Sequence, residues 1–390
     1  MSAPLLFSPL QLRDVRLRNR VAISPMAQYC AEKGCATDWH FAHLAAFATG
    51  GAALVFTEST KVERSGLGSH GDLCLWNDDH VASLVRITDF IRLSGSAAGM
   101  QLNHSGRKAR SQRPWEGFGP LDEPEEDLWP VVAPSAVRHA EGWAMPREMT
   151  RADIRDMVET WARSAMLAHR AGFEVLEIHG AHGYLVHQFL SPEANRRGDE
   201  YGGKLANRMR FALELTEAVR AAWPAALPLF FRVSSTDDMG WTLEDTVALS
   251  RELKARGVDA IDCSSGGMRS RSPTASGVFR GLGYQVPYAA RVRREADIPT
   301  MAVGLIVGPA QAERILADGD ADIIAIGREA LLDPYWAHHA AQALGADPGF
   351  ERWPKQYGWW LDRRRKAGIA GDPPPPAAAI QDKTHVRSTA

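Results

Sequence analysis

The chain alternates between short apolar runs and longer amphipathic segments. Eight apolar runs, each ending in a polar or glycine-bearing turn, have the length and composition of buried strands. They span residues 20–24, 52–58, 97–102, 173–178, 227–233, 259–263, 299–303 and 322–326. Helical segments lie between most of these runs, and this alternation favours a parallel sheet with crossover helices.

Three of the helical segments carry clear start and stop patterns. Thr150 and Asp153 form a capping-box-like pair, and the apolar positions that follow keep helical spacing until Gly172. Segments 242–257 and 308–319 begin with a threonine and with Gly-Pro, respectively, and each ends at a glycine. The pattern therefore predicts a regular succession of strand–helix units.

Eight such units predict an α/β fold of the (β/α)8 type, the TIM barrel. A doubly wound sheet more often has five to seven strands and a glycine-rich phosphate turn after the first. Here the first run ends in Ser24, Pro25, Met26 and Ala27. We expect residues 1–360 to form a single barrel domain.

Two segments fall outside the barrel pattern. Residues 111–149, after the third predicted strand, are too long and proline-rich for a tight loop. This excursion could cover an active site, contact another subunit or be a plain surface excursion. Residues 361–390 carry a basic run and a proline run, and we expect a flexible tail.

Composition narrows the class of protein. A net charge of −2 over 390 residues gives no basic field for nucleic acid or an anionic membrane. No apolar stretch approaches the roughly 18 residues of a membrane span, and the N-terminus lacks the pattern of a signal peptide. The four cysteines form no CxxC pair, which disfavours structural zinc and iron–sulfur clusters. We expect a cytoplasmic protein that acts on a small molecule.

Polar residues follow the predicted strands at the end where a barrel carries its active site. Two glycines there offer bare backbone amides that could receive a phosphate. The strand-end residues are Ser24, Glu58, Ser59, Gln101, Asn103, His104, His179, His182, Tyr184, Arg232, Gly304, Gly327 and Arg328. Their convergence at one end of the barrel predicts an enzyme.

The segment from His179 to Tyr184 concentrates the chemistry. Two imidazoles can donate hydrogen bonds to an electron-rich oxygen, and the adjacent phenol can deliver a proton. The alternative is a metal-dependent barrel hydrolase with His179 and His182 as ligands. The sequence disfavours it because such a site needs further ligands, and the first strand ends without a ligand-type side chain.

Several motifs recur in a fixed order at these strand ends. They are Ser24-Pro-Met26, Gln101-Leu-Asn-His-Ser-Gly-Arg-Lys108, His179-Gly-Ala-His-Gly-Tyr184, Phe189-Leu-Ser-Pro192, Asp199-Glu-Tyr-Gly-Gly203 with Asn207-Arg208, Arg232-Val-Ser and Ile326-Gly-Arg328. Over roughly residues 4–360 they resemble the old yellow enzyme family of FMN-dependent ene-reductases. The resemblance is strongest to the bacterial branch that includes the xenobiotic reductases.

The resemblance implies a non-covalent FMN across the barrel mouth. Residues Ser24, Pro25, Met26 and Ala27 would line the isoalloxazine together with Ser59. Gln101 would bond the pyrimidine edge and Arg232 would face the N1–C2 region, while Gly304, Gly327 and Arg328 would hold the phosphate. Two purely structural roles stay open as alternatives to cofactor binding: Gln101 could cap a strand, and Arg232 could pair with Asp262.

The resemblance also implies the reaction. NADPH or NADH would reduce the flavin, which would pass a hydride to the β-carbon of an activated alkene such as an enone, enal, maleimide or nitroalkene. His179 and His182 would bind the substrate oxygen, Tyr184 would protonate the α-carbon, and Tyr29 would contact the substrate. A protein that binds FMN without turnover is a further alternative. The branch tends to homo-oligomers, either dimers or tetramers.

Two positions depart from the branch. The residue after Ser-Pro-Met is commonly cysteine and is Ala27 here, so the flavin potential and substrate fit of the cysteine-bearing relatives do not carry over. Near the C-terminus, relatives often send an arginine into a neighbouring subunit's active site. In this chain Trp359 would stand at that place.

Overall fold

The computed structural model describes residues 3–121, 128–269 and 281–368. Eight parallel strands close into a barrel, in chain order around it, and each predicted run overlaps one of them, although five strands extend beyond the end of their run. The strands are β1 (Val21–Ile23), β2 (Leu54–Lys61), β3 (Ala97–Asn103), β4 (Val175–Gly180), β5 (Leu229–Ser234), β6 (Ala260–Ser264), β7 (Thr300–Ala302) and β8 (Ile323–Ile326). The predicted (β/α)8 fold is confirmed.

Helices surround the barrel. Those predicted from 150, 242 and 308 are present, and the hydroxyls of Thr150 and Thr242 accept hydrogen bonds from the backbone amides of Asp153 and Asp245, as the capping pattern indicated. The helices are α1 (Asp38–Thr49), α2 (Asp78–Leu93), α3 (Arg151–Arg170), α4 (Leu185–Leu190), α5 (Leu205–Ala222), α6 (Leu243–Ala255), α7 (Val286–Ala296), α8 (Pro309–Ala317), α9 (Arg328–Leu332), α10 (Trp336–Ala343) and α11 (Lys355–Lys366).

Apolar side chains fill the amino-terminal end of the barrel. Leu54, Phe56 and Phe230 belong to a buried cluster that also contains residues of an antiparallel hairpin, Leu10–Leu12 and Val15–Leu17. The hairpin therefore closes this end. The remaining space for a ligand lies at the carboxyl ends of the strands, where the polar residues were predicted to converge.

A shift in strand register places the end of β2. Phe56 pairs with Gly99, but Ser59 pairs with Gln101, so β2 has one more residue than β3 between the two pairings. An extra residue of this kind bends a strand and redirects the side chains that follow it. The residues affected are Ser59 and Lys61, which lie beside the candidate site.

The excursion packs against the barrel end. A short parallel pair, Val132–Ala133 with Arg147–Glu148, orders its second half. Trp129 is buried and donates from its indole nitrogen to the carbonyl of Leu67 at 2.9 Å. The contacts favour a cover over a plain surface excursion. Residues 122–127 lie outside the described part.

The C-terminal segment begins as a helix. Helix α11 continues to Lys366, so the boundary predicted at residue 360 lies inside it. The rest of the predicted tail, from 369 onward, lies outside the described residues. None of the described helices is long and apolar enough to cross a membrane.

Candidate active site

The fold brings His179, His182 and Tyr184 together at the end of β4. The ring centroids of His179 and His182 are 5.1 Å apart, and those of His179 and Tyr184 are also 5.1 Å apart. Both imidazoles are buried. The predicted set of donors is therefore one compact group.

An unusual turn between β4 and α4 presents these side chains. His182 has a φ of 59°, a left-handed conformation that costs a non-glycine residue energy. Its backbone amide donates to Ser234 Oγ at 2.9 Å, and the amide of Gly183 donates to His187 Nδ1 at 2.9 Å. A Cβ on Gly267 would lie 2.6 Å from His182 Cα, so only glycine allows the loop after β6 to pack there.

Both imidazoles are neutral at physiological pH. Burial, followed by the neighbouring positive groups, holds the pKa of His179 and of His182 well below its usual range. The backbone amide of Ala181 donates to Nδ1 of His179 at 3.3 Å, so the neutral ring carries its proton on Nε2. That Nε2–H can donate to a substrate oxygen.

Ser264 is a partner that the sequence did not indicate. Its Oγ lies 2.7 Å from Nε2 of His182. Ser264 ends β6, and a serine at a strand end has no distinctive pattern. Sequence reasoning missed it because the contact joins two strands that are far apart in the chain.

Two lysines flank Tyr184. The ammonium of Lys61 lies 5.5 Å from the centroid of the phenol ring and that of Lys108 lies 5.6 Å from it. Burial, followed by the charge of Asp72, raises the pKa of Tyr184 to about 12. Neither lysine was a predicted site residue, although Lys108 ends the Gln101 motif and Lys61 follows Ser59 on the same strand.

Arg232 interacts with two buried carboxyl groups below the site. Its Nε lies 3.0 Å from Asp262 Oδ2, so the ion pair considered as an alternative is present. Gln101 Nε2 donates to Glu177 Oε1 at 2.7 Å. Burial, followed by the charge of Asp262, raises the pKa of Glu177 to about 8, and burial raises the pKa of Asp262 to about 6. Burial therefore favours the protonated form of Glu177.

The strand ends also fit a flat, phosphorylated cofactor. The buried hydroxyl of Ser24 and Nε of Arg232 have no aligned hydrogen-bond partner among the described residues. A Cβ on Gly327 would meet its nearest atoms only at 3.9 and 4.0 Å, in the side chains of Ser24 and Met26, so the backbone there is open. Arg328 begins α9 with an exposed side chain. The guanidinium of Arg328 and the bare amides beside it are donors that a phosphate ester needs, while the Ser24 hydroxyl and Arg232 are donors left for a ring.

The remaining predicted residues differ in where they lie relative to the strand-end group. Burial, followed by the nearby Tyr184, raises the pKa of Tyr29, and Trp115 of the excursion contacts the Tyr29 ring edge-on, with the ring centroids 5.7 Å apart. Ala27 is exposed. Trp359 lies on α11 with 52% of its surface exposed, and its ring contacts Trp360 and Arg363. In the described chain it is not seen to contact the strand-end group.

His40 lies in α1 and is buried. Its Nε2 lies 2.8 Å from Glu58 Oε1, and Glu58 Oε2 accepts from the amide of Gln28 at 2.8 Å. The pair therefore anchors the segment after β1. Over residues 3–121, 128–269 and 281–368, no group of three or more histidine, cysteine or acidic side chains could hold a metal ion.

A sequence model of the NADH:flavin oxidoreductase / NADH oxidase family matches residues 5–347. The chain belongs to this family. It is 45% identical over 344 residues to an NADPH dehydrogenase of Listeria innocua, covering 87% of this chain and 95% of the relative. It is 42% identical over 345 residues to an NADPH dehydrogenase of a Geobacillus species, with the same coverage of 87% and 95%.

Solved structures agree with this assignment. Morphinone reductase superposes with a TM-score of 0.73 at 25% identity, over 88% of this chain and 90% of that one. Its complex with tetrahydroNAD superposes with a TM-score of 0.70 at 25% identity, over 87% and 91%. The resemblance to old yellow enzymes is confirmed, and the chain is an NAD(P)H-dependent flavin oxidoreductase whose cofactor is FMN. Family membership decides against the metal-dependent hydrolase.

Proposed function

We propose that this flavin oxidoreductase is an ene-reductase that reduces activated alkenes such as enones, enals, maleimides and nitroalkenes. The observation that carries the proposal is the compact group of two neutral imidazoles and a phenol at the end of β4. Bound FMN would supply the hydride that it receives from NADPH or NADH. A non-catalytic flavoprotein would have no need of this group.

The side chains would act on opposite ends of the conjugated system. The Nε2–H of His179, with His182 beside it, would bind the carbonyl or nitro oxygen and withdraw electron density from the double bond. The β-carbon then accepts the hydride. Tyr184 would give its proton to the α-carbon, and Tyr29 would close the pocket under Trp115.

The cofactor would rest on the strand-end residues. Ser24 to Ala27 and Ser59 would line its ring, and Gln101 and Arg232 would face its pyrimidine edge. Gly304, Gly327 and Arg328 would receive its phosphate, since Gly304 has a φ of 113° at the end of β7 and Gly327 precedes α9. The unpartnered Ser24 hydroxyl supports this placement, and so does the guanidinium of Arg232, whose ion pair with Asp262 lacks an aligned hydrogen bond.

We further propose that the chain forms a homo-oligomer, a dimer or tetramer, in which α11 packs near a second copy's site. The support is an exposed aromatic group on this helix, in which Tyr357, Trp359 and Trp360 are 46%, 52% and 66% exposed. Sedimentation of the wild type and of Trp359→Ala, with the KM for an enone, tests this. A monomeric wild type would rule it out.

The visible spectrum of the purified protein tests the function. Flavin bands should bleach with NADPH under anaerobic conditions and return on addition of cyclohexenone. Bands that return with oxygen but not with the enone would leave a flavin oxidoreductase without ene-reductase activity. A colourless protein with stoichiometric zinc would contradict the whole assignment.

Tyr184→Phe tests the proton donor. Loss of a positioned proton donor costs about 10²–10⁴-fold, so reoxidation of the reduced flavin by an enone should slow by that factor while reduction by NADPH is unchanged. Tyr201→Phe is the matched control, because the Tyr201 hydroxyl donates to Glu214 and serves the fold. Equal reoxidation rates in all three proteins would remove Tyr184 from this role.

A further inference from the structure

A buried ion pair lies beside Tyr184 and has no part in the scheme above. Lys61, the last residue of β2, donates from Nζ to Ser59 Oγ at 2.9 Å and lies 3.5 Å from Asp72 Oδ2. Its ammonium is 5.5 Å from the centroid of the Tyr184 ring. The two side chains of the pair are only 5% and 6% exposed, so solvent screens their charges little.

Asp72 is fixed in place by its own loop. Its Oδ2 accepts from the backbone amides of Gly68 and Ser69 at 2.7 and 3.2 Å, and its Oδ1 accepts from Ser69 Oγ at 3.0 Å. After burial, the charge of this carboxylate is what raises the pKa of Tyr184, a phenol that has to become negative when it gives up its proton.

The other groups around the phenol do not offset this charge as directly. His179, whose ring centroid is 5.1 Å from that of Tyr184, is neutral. Lys108 uses its ammonium on the carbonyls of His182 and Gly267, and burial followed by Arg107 lowers its pKa to about 7, so it is only partly charged at neutral pH. Tyr29 is an uncharged phenol whose pKa is raised.

We propose that Lys61 is a positioning residue that sets the acidity of Tyr184, by offsetting the charge of Asp72 and by stabilising the tyrosinate. The inference rests on the proposed function, in which the O–H bond of Tyr184 breaks as the α-carbon gains its C–H bond. The tyrosinate then regains a proton from water. Lys61 touches no reacting atom, and its effect passes through the phenol.

A phenol titration in the FMN-loaded protein tests this directly. Difluorotyrosine, an intrinsically more acidic phenol, replaces Tyr184, and fluorine NMR follows its ionisation. Lys61→Met should raise the pKa of this phenol by about one unit, because an opposite charge at such distances shifts a pKa by about 1–3 units. Asp72→Asn should lower it by a similar amount, and the double variant should lie near the wild type.

Two controls fix the interpretation. Lys61→Arg keeps the positive charge and should leave the pKa of the phenol near that of the wild type. Lys254→Met removes a lysine that pairs with Asp297 at 2.7 Å on the surface, far outside the site, and should have no effect. If Lys61→Met does not fold, the double variant and Asp72→Asn still give the expected order of pKa values.

The outcomes separate this inference from the proposed function. An unchanged pKa in Lys61→Met, or shifts of the same sign in Lys61→Met and Asp72→Asn, would overturn the inference. The pH profile of enone-driven flavin reoxidation should shift in the same direction as the NMR titration. If Tyr184→Phe turns over normally while the titration shifts as expected, the role of Tyr184 fails but the electrostatic coupling stands.

Discussion

Two buried ion pairs lie at the carboxyl end of the barrel, and they are built differently. Asp72 accepts three hydrogen bonds from its own loop in addition to its contact with Lys61. Asp262 lies 3.0 Å from Arg232, yet neither of its oxygens has an aligned hydrogen-bond partner among the described residues. The Lys61–Asp72 pair is therefore completed by hydrogen bonds within the protein, whereas the Arg232–Asp262 pair is not.

This difference indicates two uses of a buried cation. Arg232 interacts with both Asp262 and Glu177, whose pKa values burial raises to about 6 and about 8, so one guanidinium faces two carboxyls that ionise less readily than usual. An incomplete pair can still bind an incoming electron-rich group, which fits the proposed contact with the flavin. The complete Lys61–Asp72 pair can act only on its neighbours, above all on Tyr184.

Arg232→Met should cause the largest loss in the free energy of unfolding. Removing one partner of a buried ion pair costs about 3–5 kcal/mol, because it strands the other charge. The loss should be smallest below pH 6, where Asp262 is already protonated in the wild type, and should widen above pH 6, where the wild-type carboxyl ionises. Urea unfolding across this range, with equal FMN supplements, measures it.

Lys61→Met is the matched control for that experiment. Asp72 keeps its three loop donors, so the loss in the free energy of unfolding should be smaller than for Arg232→Met. FMN content should fall in Arg232→Met more than in Lys61→Met. Equal losses in the two variants would show that the hydrogen bonds of Asp72 do not distinguish the pairs.

Glu177→Gln tests the raised pKa of the second carboxyl that interacts with Arg232. The pKa of Glu177 is raised from 4.5 to about 8, so the folded wild type holds a proton that the unfolded chain releases. The stabilisation this gives is complete below pH 4.5 and is lost as pH rises through about 8. The variant should lack this loss and should become the more stable protein in alkaline solution. Parallel pH dependences of unfolding would contradict the assignment.

Ser69→Ala should have the smallest effect. It removes one neutral donor to Asp72 Oδ1 at 3.0 Å, and a hydrogen bond of this kind is worth about 0.5–1.5 kcal/mol, or somewhat more to a charged group. Two backbone amides and Lys61 remain with the carboxylate. Thermal unfolding measures the loss, and a loss comparable to that of Arg232→Met would show that Asp72 depends on this one hydroxyl.

Much of the site was predictable because it follows the strands. His179, His182 and Tyr184 come directly after an apolar run, and the carboxyl ends of barrel strands must meet. The parts that were missed depend on contacts across the fold. Ser264 meets His182 from another strand, and Lys61, which follows the register shift in β2, meets Asp72 across the next loop.

The sequence by itself determined the eight strands, their order of alternation with helices and the histidine–tyrosine segment. These follow from local periodicity, capping and the position of polar residues after apolar runs, which require no distant contact. The tertiary structure decided the charge state and the orientation of the same residues. Burial keeps the imidazoles neutral, two carboxyl groups share the guanidinium of Arg232, and Lys61 and Asp72 lie beside the phenol. Burial and distances between remote segments control these properties, and local sequence patterns encode neither.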